Sequence, residues 1–194
     1  NWLKDGIPFS LIAFGTSYFF SAGVIVMGLI FHRPTEAAIL GLSANFAAII
    51  ITTFTCVQSV FFPLFVEATT LKDKWETNLI LNKWQKSWLI FAVPFFIFNI
   101  VFSKNILNLF DSTYISALDT IFILLFGYFV FIFFQPYTTI YQFAGFTKNF
   151  ILITYIFVAT GIVGMIILGK IWGIKGVALA GVFALLGTSI TKSL

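Results

Sequence analysis

Residues 67–86 read EATTLKDKWETNLILNKWQK, a polar island between two long apolar blocks. The chain carries eleven basic and seven acidic side chains, and Glu67, Lys72, Asp73, Lys74, Glu76, Lys83 and Lys86 all fall within this island. A Lys or Asp at the centre of a membrane helix costs roughly 2.5 to 3.5 kcal/mol, against roughly 0.3 to 0.6 gained per Leu, Ile, Phe or Val. The apolar blocks therefore belong in a bilayer and the island in water. Its four lysines exceed those of any other gap between apolar runs. The bias of basic residues toward cytoplasmic loops then places the island in the cytoplasm.

Composition agrees. Of 194 residues, 60% are hydrophobic and only 9% charged, with a mean hydropathy of +1.04. That leaves too little polar surface to coat a soluble domain, and repeated uncharged runs of about 20 residues are what a bilayer core demands. The lysines sit at the ends of apolar runs, with no basic patch interleaved with stacking aromatics, so nucleic acid is not an expected partner. Cys56 is the only cysteine and His32 the only histidine. Neither a disulfide framework nor a metal site is expected, and no cofactor motif is present. The start, Asn1-Trp2-Leu3-Lys4, lacks Met, and the last apolar run is barely finished at Leu194. The sequence reads as a fragment or a processed piece.

The fold expected is all-α and polytopic. Six membrane spans are read at 7–31, 37–66, 84–102, 118–134, 150–168 and 174–190, joined by a cytoplasmic loop at 67–83 and an outer loop at 103–117. Pro8 suits a first turn, Pro94 is expected to bend its span slightly, and Pro136 to break the fourth. Both ends then lie in the cytoplasm. Lys4, Lys72, Lys74, Lys83, Lys86, Lys148 and Lys192 fall on that side, against Arg33, Lys104, Lys170 and Lys175 outside. Trp2, Trp75, Trp84, Trp88 and Trp172 all come near span ends, where amphipathic rings sit at headgroup level. Uninterrupted apolar runs lack the alternation of a membrane barrel.

Function is sought on the helix faces. In the second span Gly41, Asn45, Ala48, Thr52, Thr55 and Ser59 recur at three and four residues, a small and polar stripe. Phe46, Ile50, Phe54, Val57 and Phe61 lie opposite and are read as facing lipid. The stripe is either a helix-packing seam or the wall of a substrate path. Gln135, Thr138 and Gln142 line up around Pro136, where amides either satisfy freed backbone groups or bind a ligand. Lys72, Lys74, Lys83 and Lys86 are candidates for attracting anionic headgroups. No charged residue is read at mid-depth in any span, which leaves no proton relay or buried ion site. No catalytic constellation is visible, so the chain is not read as an enzyme.

Five features in order resemble the polysaccharide exporter branch of the multidrug/oligosaccharidyl-lipid/polysaccharide superfamily, which includes the O-antigen flippases. These are Gly6-Ile7-Pro8 opening the first helix, and Phe62-Pro63-Leu64 before the charged island. Leu109-Phe110-Asp111-Ser112-Thr113-Tyr114-Ile115-Ser116-Ala117 follows in the outer loop. Next come Gln142-Phe143-Ala144-Gly145-Phe146-Thr147-Lys148 and Gly173-Ile174-Lys175-Gly176-Val177-Ala178-Leu179-Ala180. Asp111 stands where the family has glycine, and Thr160, Gly161 and Gly164 where many members carry asparagines. The resemblance implies one lobe, the C-terminal half, of a two-lobed transporter in a bacterial or archaeal cytoplasmic membrane. It would move a polyprenyl-pyrophosphate-linked oligosaccharide outward by alternating access, with the cations for the pyrophosphate supplied by the N-terminal lobe. Competing readings are a cation-coupled multidrug exporter lobe, a membrane-embedded enzyme of glycan assembly, and a structural subunit.

Overall fold

In a computed structural model the protein is described at residues 7, 10, 11, 15, 21–71, 74–110, 112–143 and 147–193, apart from the side chains of 110, 112, 113, 140–143 and 193. Helix α1 spans Pro34–Thr70, α2 Lys74–Phe110, α3 Leu118–Phe143 and α4 Thr147–Ser193. A short 3-10 turn, Ser112–Ala117, joins α2 to α3, and a π-helical turn, Val26–Ile30, ends the segment before α1. His32 takes a left-handed backbone at φ 53°, and Pro34 then starts α1 in its first turn, where a missing N–H costs nothing. Among the described residues, α1, α2, α3 and α4 are long and apolar enough to cross a membrane. The chain is an α-helical, multi-pass membrane protein.

Helices α1 and α2 each hold 37 residues, about 55 Å at 1.5 Å per residue, far more than the ~30 Å hydrocarbon core. The excess accounts for the polar island. Read as a loop over 67–83, it is instead helical on both sides of a turn at Leu71, so charges clear of the bilayer are displayed on helix ends. The outer stretch 103–117 is likewise helix to Phe110 and then 3-10 turn. Pro136 does not end its helix, because α3 continues through it to Phe143. Pro94 lies inside an equally continuous α2.

Helix α4 reverses at Gly173, whose φ of 60° and ψ of −139° are closed to a residue with a Cβ. Its arms, 147–172 and 174–193, fold back on each other. A Cβ on Gly169 would meet Val177 at 2.8 Å, one on Gly181 would meet Met165 at 3.0 Å, and the Lys192 ammonium reaches Thr154 at 2.7 Å. These partners stand four, eight and nineteen residues either side of Gly173, the signature of an antiparallel hairpin. The turn expected at 169–173 is therefore a hairpin apex.

The core corrects two expectations. On α1, Ile50 and Phe54 are buried, while Asn45, Thr52, Thr55 and Ser59 are exposed. The bulky face read as lipid-facing is thus the packing face; the four polar residues of the stripe are turned outward, while Gly41 and Ala48 are half-buried. Trp84 and Trp88, read as interfacial, are buried. Trp84 stacks with Phe54 at 6.0 Å and Phe61 at 6.5 Å, and Trp88 meets Phe129 at 5.2 Å. Position near a span end put both indoles at headgroup level, but the rings of α1 and α3 cover them. Trp75 and Trp172 remain exposed.

Candidate functional site

Two polar features stand out, one on the outside of α1 and one between α3 and α4. On α1 the exposed hydroxyls donate back to their own helix: Thr55 to the Ile51 carbonyl at 2.9 Å and Ser59 to that of Cys56 at 2.8 Å. Asn45 stands two turns before Thr52 on the same exposed face. Hydrogens spent in this way leave hydroxyl lone pairs facing outward. The face accepts hydrogen bonds and donates through the Asn45 amide.

The second feature is a small chamber, about 30 Å³, between α3 and both arms of α4. Gln135 and Thr138 from α3 meet Thr154, Thr188, Ser189 and Lys192 from the hairpin. Thr138 donates to the Gln135 side-chain oxygen at 2.8 Å, Thr154 to the Phe150 carbonyl at 2.8 Å, and Thr188 to that of Ala184 at 2.7 Å. Lys192 is 6% exposed, and its ammonium donates to Thr154 and lies 3.4 Å from the centre of the Phe150 ring. The volume suits one water, which would accept from the ammonium and donate to the hydroxyl oxygens. A buried ammonium is thus met by a ring face and the Thr154 hydroxyl oxygen in place of a carboxylate.

That arrangement has an asymmetric energetic signature. Thr154→Val strands a buried ammonium, and a loss of about 1 to 3 kcal/mol is expected. Lys192→Met keeps the stem packed and removes the charge itself, so it is expected to cost clearly less. Unfolding by denaturing detergent measures both. Equal losses would show that the ammonium is not held by Thr154.

The structure thus brings Gln135 and Thr138 together but separates them from Asn45, Thr52, Thr55 and Ser59. The side chain of Gln142, and Lys72 as a whole, lie outside the described residues. Lys74, Lys83 and Lys86 are exposed on α2. Sequence reading missed Thr154, Thr188, Ser189 and Lys192, the last counted only among the cytoplasmic-side lysines. Their positions were recoverable from distance to Gly173, since Thr154 and Lys192 are equidistant from it. At the other end of the bundle, Lys175 pairs with Asp119 at 2.5 Å and Arg33 with Glu36 at 3.1 Å. Comparison with family models, with curated proteins and with solved structures finds no match to this chain.

Proposed function

We propose that this chain is one lobe of a membrane transporter that flips a lipid-linked oligosaccharide across the cytoplasmic membrane by alternating access. The observation that carries the reading is the outward direction of the Asn45, Thr52, Thr55 and Ser59 stripe. A membrane protein has reason to turn small polar residues inward, yet these four face outward on α1 among the exposed Ile49 and Val60. A polar face directed away from the core is explained if it walls a hydrated path whose other side is a second lobe. Sugar hydroxyls, which both donate and accept, match a wall of oxygens and one amide.

In this reading the segment before α1 and the two arms of α4 bring the crossings to six, with both ends cytoplasmic. Lys72, Lys74, Lys83 and Lys86 then gather anionic headgroups at the cytoplasmic mouth. Transport requires no bond making, which fits a path lined by hydroxyls and amides. The resemblance to O-antigen flippases supplies the substrate class, and the stripe supplies a surface for it.

Leucine substitution tests the reading in a strain deleted for the protein. Asn45→Leu combined with Thr52→Leu is expected to abolish display of the surface glycan while the protein inserts and accumulates at its normal level. Exposed positions that do not support the fold leave stability within about 0.5 kcal/mol. Normal display with both leucines in place would refute the path.

A further inference from the structure

Overlapping the polar stripe at Thr52, α1 and α2 form a lateral groove of about 580 Å³. Ile49, Val57, Val60 and Phe61 of α1 face Ser87 and Phe91 of α2 across it. It opens sideways, since Ile49, Val60 and Phe91 are 45%, 63% and 57% exposed. Its volume falls in the usual range for a pocket that holds one small molecule, roughly 300 to 1,000 Å³. The Thr53 hydroxyl on its wall donates to the Ile49 carbonyl at 3.2 Å, so the wall offers hydrocarbon and few free donors.

Depth and charge identify what belongs there. Lys83, Ser87 and Phe91 recur every four residues and form one ridge of α2. The midpoint of Lys74–Phe110 is residue 92, so Lys83 lies nine residues, about 14 Å, toward the Leu71 turn. That is the edge of the ~30 Å hydrocarbon core, from which a lysine side chain extends outward to the phosphates. Lys83 is exposed and forms no ion pair among the described residues. An apolar trough at acyl-chain depth thus lies one helical turn from a cation, unpaired among the described residues, whose ammonium reaches toward the phosphates.

We propose that the groove between α1 and α2 holds one hydrocarbon chain of an anionic bilayer phospholipid whose phosphate is bound by Lys83. The site does not rest on the transport reading, with which it shares only Thr52. It would hold equally in a protein that transports nothing.

The test uses the full chain in phosphatidylcholine bilayers with a trace of phosphatidylglycerol carrying a photoreactive acyl chain, and in parallel the same chain on phosphatidylcholine. Adducts mapped by mass spectrometry are expected to concentrate at 49–61 and 87–91, about fivefold denser from the anionic probe. Lys83→Gln is expected to bring the two probes to parity, while Lys104→Gln at the far end of α2 leaves the preference intact. Val60→Trp, which fills the trough without touching charge, is expected to remove groove adducts from both probes. Equal labelling by both probes in the unmodified chain would overturn the site, as would a preference that survives Lys83→Gln. Groove adducts no denser than those on the lipid-exposed residues Leu152 and Val163 would do so too. Dimers cross-linked through Cys56 that exclude both probes would assign the groove to a second copy instead.

Discussion

Gly176→Ala is expected to abolish the folded hairpin of α4, with a loss of at least about 3 kcal/mol, at the upper end of overpacking costs. The reason is local and steric. A Cβ at this position would be driven into the Leu168 carbonyl, with the carbonyl carbon at 2.5 Å and the Gly169 nitrogen at 3.2 Å. These are backbone atoms, and no rotamer change relieves them. The arms must spread, and Val177, Ala178 and Ala180, all buried, lose their packing with the rest of the core. Backbones in close approach are how helices associate where lipid supplies little hydrophobic drive. Gly164→Ala is the control, because its Cβ would meet Ala180 at an ordinary 3.4 Å. Denaturing-detergent titration decides between them. A wild-type midpoint for Gly176→Ala would mean that the hairpin is looser than described.

Trp84→Ala is expected to be the most damaging truncation on α2, at about 3 to 5 kcal/mol. The ring is fully buried and lies near parallel to both Phe54 and Phe61, at 13° and 7°, with Phe65 edge-on at 6.4 Å. Removing it leaves a cavity among rings anchored on a second helix, so collapse is restricted. Trp84→Phe is expected to cost much less. The indole N–H has no partner among the described residues, so no hydrogen bond is lost with it. Trp172→Ala, at an exposed position, is expected to leave the midpoint in place. Similar losses at Trp84 and Trp172 would show that headgroup anchoring, rather than core packing, sets the role of tryptophan here.

Helices were legible in the sequence because lipid tolerates no unpaired backbone, so every long apolar run had to be helical. The hairpin apex was legible too, from the break Gly169-Lys170-Ile171-Trp172-Gly173 between two apolar runs. What failed was direction. In water, Phe54 and Phe61 would have declared their face buried, but a bilayer is as apolar as a protein core, and bulk no longer tells inside from outside. The same ambiguity placed Trp84 and Trp88 at headgroup level. The chamber was hidden for a different reason. Gln135 and Thr138 were visible as a local cluster, whereas Thr154, Thr188, Ser189 and Lys192 meet only once the hairpin closes. Lys192 near the end of the sequence looked like any terminal lysine.

Contacts in α4 are fixed by distance from Gly173, and this holds its two arms in one register. Adding one residue on either side would swing every side chain beyond it by about 100°. Thr154 would then no longer face Lys192, and Met165 would leave Gly181. Only changes made on both arms at once, or outside the paired stretch, preserve the match. An insertion is therefore expected to be tolerated only outside the paired stretch 154–192.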